Sequence, residues 1–380
     1  MSLRILLCCP YFGVERRFGG PKVYIELQEA FQRQGAQADL VGFADMLPGQ
    51  YAADYWACCN AQRDHIRSVG EAYDVIEFDH AHLPFDRTDL PPGPLMVARS
   101  VLLRHHFGRI RIPASPTIRA RLAWLLLGPS RRKAERQTID RATRTCLQAD
   151  AVNVSNQDDR VALIDAGIPP ERIMVEPFAL TAERRGEFAL SNRQPAAEPV
   201  IAFVGTFDPR KGMHAFGPLL SLLARSVPGV RMRLVGTKGR VLDSAGVLAC
   251  FPRRLRNRVE VVPTYAPAEL PGLLDGCMAG VFPSLIEGFG FGVLEMLAAG
   301  LPVVAYRAPG PPEMLPDELL VPRGDVGRLA ERLTALLGDA AYRSTWSQWA
   351  RRRAEDFDWD RIARSTLADY QRRIDGRTRA

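Results

Sequence analysis

Glu287 and Glu295 stand either side of alternating glycine and phenylalanine, Gly288-Phe289-Gly290-Phe291-Gly292. Glycine lets a backbone approach a ligand and turn its N–H groups toward it. At the start of a helix, such N–H groups attract an anion. Carboxylates beside them suit another task, accepting hydrogen bonds from neighbouring hydroxyls on a sugar ring or a ribose. A phosphate for the amides and hydroxyls for the carboxylates together describe a nucleotide sugar. The plainer reading is a glycine-rich turn with one capping glutamate. A second pole lies upstream, in the GTFDPRKG run of residues 205–212. Arg210 and Lys211 offer cationic donors to a diphosphate. Lysine is scarce in this arginine-dominated chain (Lys22, Lys133, Lys211 and Lys238), so one in a glycine-flanked loop stands apart from casual surface charge.

Both poles need strand–loop–helix units to hold them. Residues 281–284 end a buried strand, and the helix after the glycine loop stops at Gly300, ahead of Pro302. Residues 302–306 form another apolar, β-branched strand. Residues 200–204 are a strand, and 213–223 a helix after Lys211. The N-terminal part alternates likewise: a strand at 3–9, a loop ending in Gly19-Gly20, a helix at 22–34 and a strand at 38–43. A strand over 73–78 delivers Asp79, His80 and His82 to its C-terminal end, where ligands bind in open α/β sheets. A strand at 95–100 carries Arg99. Residues 118–144 read as helix, interrupted at Gly128-Pro129. Polar, aperiodic residues 183–199 read as a linker, and 359–373 as a last amphipathic helix. Strand and helix alternating throughout predict α/β architecture with parallel sheets.

The run PSLIEGFGFGVLEMLAAGLPVV (residues 283–304) resembles the donor-site motif of retaining glycosyltransferases of the GT-B fold, family-4 type (glycosyl transferases group 1). That motif reads PSxxEGFGxxxLEAMAxGxPVV; Met296 and Leu297 replace its usual Ala-Met. The resemblance is strong over residues 200–340 and partial over 1–190. It implies two Rossmann-like domains facing across a cleft: an acceptor domain at 1–190, a donor domain at 195–355, and a segment at 356–380 returning to the first. It implies catalytic roles for Glu287, Lys211 and Arg210. Donor contacts would come from Gly19, Gly20, Gly205, Thr206, Gly288, Phe289, Gly290, Phe291, Gly292 and Glu295, with Glu295 on the ribose. His80, His82 and Arg99 are candidates for the acceptor. No metal and no cofactor are expected, the nucleotide-diphosphate sugar being a substrate. Three departures from the family pattern stand out. Val101 follows Arg99-Ser100 where relatives place a histidine. Thr206 replaces an arginine whose charge Arg210 would supply. Phe178-Ala179 replaces Asn-Gly. They leave room for a non-catalytic, membrane-associated scaffold or a nucleotide-sugar epimerase on the same fold.

The 380 residues suit two domains. No apolar run reaches the ~18 residues of a membrane span, and the N-terminus reads as a first strand rather than a signal peptide, which favours the cytoplasm. Seven cysteines, an odd number without a CxxC pair, give no disulfide or zinc framework. The net charge of +7 is concentrated: residues 99–144 hold 12 Lys and Arg against Glu135 and Asp140. Such a segment favours an anionic partner. The expectation is an anionic or lipid-linked glycan acceptor in a cell-surface polysaccharide pathway, with contact to the inner face of the plasma membrane through residues 99–144. No nucleic acid is expected, because aromatic residues interleave little with that charge.

Overall fold

A computed structural model describes residues 2–16, 19–113, 118–189, 198–239, 241 and 243–378, without the side chains of 118–129, 131 and 378. It divides into two compact units: Met1–Arg109 with Pro129–Ala179 and Asp358–Ala380, and Ile110–Gly128 with Leu180–Phe357.

Each unit is built on a six-stranded sheet. The first holds β1 (Arg4–Cys9), β2 (Gln37–Gly42), β3 (Val75–Asp79), β4 (Leu95–Arg99), β5 (Ala151–Val154) and β6 (Ile173–Val175). Their order is β2-β1-β3-β4-β5-β6, all parallel. The second holds β7 (Val200–Val204), β8 (Arg231–Val235), β9 (Val259–Val262), β10 (Cys277–Phe282), β11 (Val303–Tyr306) and β12 (Leu320–Val321). Their order is β12-β11-β10-β7-β8-β9, again parallel. Strands such as VIAFV and VVAY are buried along their whole length, as parallel strands covered on both faces must be. The expected α/β class with two Rossmann-like sheets is what the chain forms. The strand order reverses between β1 and β3 in the first sheet and between β7 and β10 in the second. Ligands of such sheets bind at this reversal, beyond the C-terminal strand ends.

Three local expectations are corrected. The first helix is Gly19–Arg33, so Gly19 and Gly20 form its first turn rather than the end of a loop. The helix Ile118–Gln148 runs on through Gly128-Pro129. A proline inside a helix costs about 3 kcal/mol, and this 31-residue helix offsets it by burying Ala142, Cys146 and Ala149, the last just past its end. Residues 182–189 are helical where a linker was expected. Their inward pair is Arg184 and Phe188, and one apolar residue in the pair gives too weak a period to see.

The last helix, Trp359–Thr378, lies in the first unit and is fastened by buried polar groups. Trp359 Nε1 donates to Glu26 Oε2 at 2.7 Å. Thr366 donates to Glu176 and Tyr370 to Glu77. Phe178 stacks on Trp359 at 6.2 Å, so the phenylalanine that departs from the family pattern fills core against this helix.

Burial pushes the Glu176 carboxyl up to about 7, against the Thr366 hydrogen bond and the Arg99 charge, with Glu77 and Asp369 adding to the rise. The folded state therefore holds this proton more tightly than the unfolded chain. Its contribution is full below pH 4.5 and is lost as pH climbs to about 7. At about 1.4 kcal/mol per unit, the loss is on the order of 3 kcal/mol. Glu176→Gln should flatten this part of the stability profile, read from urea midpoints between pH 4.5 and 8. An unchanged slope would remove Glu176 as its source.

Candidate active site

The loops after β7 and β10 meet at the reversal of the second sheet. Asp208 shapes the first loop. Its Oδ1 accepts from the backbone N–H of Arg210 at 2.9 Å and of Lys211 at 3.1 Å, and its Oδ2 from the Thr206 hydroxyl at 2.8 Å. This is an Asx-type turn, with proline next in sequence presetting the backbone. The two loops are then joined by main chain. Leu285 N donates to Arg210 O at 2.8 Å, and Arg210 Nη1 donates back to Ile286 O at 2.9 Å. Gly212, at φ +77°, lies so close beneath Pro283 that a Cβ would sit 1.9 Å from its carbonyl oxygen.

This frame brings Lys211 Nζ to 2.7 Å and Arg210 Nη1 to 3.4 Å from Glu287 Oε1. Glu287 is 5% exposed, and the Lys211 ammonium also lies 5.2 Å from the centroid of the Phe282 ring. Among the described residues, Oε1 has no donor in hydrogen-bonding alignment; the contact with Lys211 is ionic. Burial alone would push the Glu287 carboxyl up, but the Lys211 and Arg210 charges outweigh it and hold the group below its ordinary value. The result is a buried carboxylate with acceptor capacity to spare, beside two cations.

The glycine loop divides its labour differently from the expectation. Residues 281–290 are buried throughout. Phe289 is a core side chain, 2% exposed, edge-on to Phe291 at 5.8 Å and to Phe357 at 5.6 Å. Gly290, at φ +101°, precedes the helix Phe291–Ala298. A Cβ on Gly292 would meet Val204 O at 2.3 Å, so its bareness is required by β7 and not only by a ligand. Gly288 lies in buried backbone beside Glu287. Gly205 gives its N–H to Val235 O at 2.9 Å, and Thr206 gives its hydroxyl to Asp208; both shape the loop. Glu295 sits one helical turn inside Phe291–Ala298, 3.9 Å from Arg184 Nη2. Burial, with the charge of Glu295 adding to it, raises the Tyr265 phenol.

The first unit places its candidates at the reversal of its own sheet. Gly19 and Gly20 open the first helix, and Gly20 lies under Tyr11, whose hydroxyl would be 2.2 Å from a Cβ there. Arg99 is turned to Glu77: it is 1% exposed and doubly hydrogen-bonded to that carboxylate at 2.8 Å. An arginine at the end of a central strand must be paired to be buried, and Glu77 on the adjoining strand pairs it. His80 is also interior, its Nε2 accepting from Arg104 N at 3.3 Å. His82 is partly exposed, with Nδ1 2.6 Å from Asp79 Oδ1. Burial raises the Asp79 carboxyl, but the two histidines outweigh it and hold it well below the ordinary range.

Two residues were missed by sequence reasoning. Asp208 orders the Arg210–Lys211 loop, and its Asp-Pro signature was readable as a turn. Arg184, beside Glu295, lies in the stretch read as linker, and no local pattern pointed to it. Among the described residues, no group of three or more His, Cys, Asp and Glu is arranged to hold a metal, and no helix is long and apolar enough to cross a membrane.

Residues 198–339 match the family model of glycosyl transferases group 1. The D-inositol 3-phosphate glycosyltransferase of Kribbella flavida is 29% identical over 260 residues, covering 64% of this chain and 59% of that protein; the chain thus spans under two thirds of that relative's length. Among solved structures, sucrose-phosphate synthase from Thermosynechococcus elongatus superposes with a TM-score of 0.71 at 19% identity, over 98% of this chain and 99% of that one. Anabaena HepE in complex with UDP-glucose gives 0.65 at 20% identity, over 97% and 100%. These likenesses show the GT-B type of fold.

Proposed function

We propose that the chain is a retaining glycosyltransferase that moves a sugar from a nucleotide-diphosphate sugar to an acceptor hydroxyl. One observation carries the reading: a buried carboxylate, Glu287, held against Lys211 and Arg210 where the sheet order reverses. Departure of a diphosphate from an anomeric carbon builds negative charge on its oxygens, and fixed cations in a water-poor site stabilise that charge most. Lys211 and Arg210 supply them. Glu287 accepts from the sugar's hydroxyls and favours the positive character that develops at the ring carbon. Glu295, one turn into the following helix, takes the ribose hydroxyls, with Arg184 steadying its charge. The family match over this unit supports the assignment, and the UDP-glucose complex of the HepE structure makes a uridine donor the first to try. The acceptor in this reading is an anionic or lipid-linked glycan met at the cytoplasmic face of a membrane, supported by the basic run of residues 99–144.

Calorimetry with UDP and GDP, followed by turnover with UDP-, GDP- and ADP-sugars, tests the reading. An epimerase would alter the donor sugar without an acceptor, and a scaffold would do neither. Lys211→Ala should weaken nucleoside diphosphate binding at least tenfold, since a hydrogen bond to a charged group contributes about 1.5–3 kcal/mol. Unchanged affinity and turnover in that variant would remove the diphosphate clamp.

A further inference from the structure

The reversal point of the first sheet carries a feature that the donor chemistry leaves unused. Rings from four segments form a row across the loops that follow β1, β2 and β3. Phe12 lies 5.7 Å from Phe43, Phe43 5.5 Å from His82, and His82 5.6 Å from Tyr55. Tyr55 continues to Trp56 at 5.3 Å, and Trp56 to Phe85 at 6.5 Å. Most of these rings reach the surface, and Trp56 is 46% exposed. Phe43 is core, and the stretch from His82 through Tyr55 and Trp56 to Phe85 is the part left at the surface; such a stretch points to a ligand with apolar faces.

Arg141 stands over the middle of the row. Its guanidinium carbon is 4.4 Å from the Tyr55 centroid and 5.3 Å from that of Trp56. The ion pairs of the described residues use the neighbouring Arg144, with Asp86, and Arg109, with Asp165; Arg141 has no carboxylate partner and donates no side-chain hydrogen bond among them. Two rings thus hold in place a guanidinium whose N–H groups are unspent among the described residues, a group that can grip a planar or tetrahedral oxyanion with two bonds. Of the nearby carboxylates, Asp79 is taken up by His80 and His82, Asp86 by Arg144, and Asp54 by the backbone N–H groups of Trp56 and Ala57. Asp79 also holds Nδ1 of His82 at 2.6 Å, leaving Nε2 of that ring unbonded among the described residues.

We propose that this row is the acceptor's binding site, that the acceptor is a sugar or polyol bearing a phosphate or carboxylate, and that Arg141 takes the ionised group while Trp56 and Tyr55 take the ring. The proposal rests on the glycosyltransferase reading for the word acceptor; the oxyanion site itself stands on the first unit alone.

The test uses the full chain saturated with UDP, so that Lys211 and Arg210 are occupied. D-Glucose 6-phosphate, D-glucuronate and D-glucose are titrated in turn by calorimetry or ligand-observed NMR. At least one anionic sugar should bind tenfold or more tighter than glucose. Arg141→Met should erase that gap while leaving UDP affinity unchanged, and Arg141→Lys should keep part of it. A gap for phosphate alone or carboxylate alone supports the site and names its oxyanion. Equal binding of all three sugars, or a full gap in Arg141→Met, overturns it. If UDP fails to bind, the donor reading fails instead, and the same comparison without UDP in Lys211→Ala protein still decides the oxyanion site.

Discussion

Glu287→Gln should lower turnover by about 10²–10³-fold with the fold retained. The substitution keeps the shape and removes the charge. Lys211 and Arg210, 2.7 and 3.4 Å away, lose the carboxylate that positions them, and the sugar loses the group that favours its positive transition state. Taking away one preorganised electrostatic element of this kind costs roughly 3–4 kcal/mol of barrier. Nucleoside diphosphate affinity should hold or rise, because the cations are no longer shared with a carboxylate. The measurement pairs kcat on the best donor with UDP calorimetry and circular dichroism. Near-normal kcat in a well-folded variant would strip Glu287 of its role.

Gly212→Ala should be the most damaging substitution in the loop frame. Gly212 combines φ +77° with a backbone carbonyl 1.9 Å from the position of an added Cβ. Gly35 offers a control, since its φ is +86° and nothing lies within 4 Å of such a Cβ. Gly35→Ala carries backbone strain alone, about 1–2 kcal/mol. Gly212→Ala must also part the Lys211 loop from Pro283, for a total of about 3–5 kcal/mol. Donor affinity should fall with it, as the Lys211–Glu287 spacing opens. Urea midpoints of the two variants, alongside UDP binding, check this; equal losses would mean that the Pro283 contact is without consequence.

The frame that brings Lys211 to Glu287 was largely legible because its residues are local in sequence. Lys211 lies just past one strand and Glu287 just past another, and each loop announces itself with glycine and proline. What the residues could not announce was which contacts would use them. Arg99 reads like a ligand-facing cation at a strand end, yet Glu77, 22 residues away, consumes it. Gly292 reads like a ligand-facing glycine, yet Val204 O requires it. The aromatic row was invisible for a related reason. Phe12, Phe43, Tyr55 and His82 come from separate segments, and only the strand order brings them side by side. Helix 182–189 hid because a buried arginine occupies half of its inward face.

The three carboxylates that fasten the last helix have an implication for synthesis. Glu26, Glu77 and Glu176 wait for Trp359, Tyr370 and Thr366, partners 190 to 333 residues downstream. The sheet running from β7 to β12 draws only on residues 200–321 and can close while the chain is still being made. As the first unit emerges from the ribosome, Glu26 and Glu176 still lack these partners and Glu77 has only Arg99, so the unit matures only after helix 359–378 is released. A nascent chain halted before residue 359 should therefore show a protease-resistant second sheet and a labile first one.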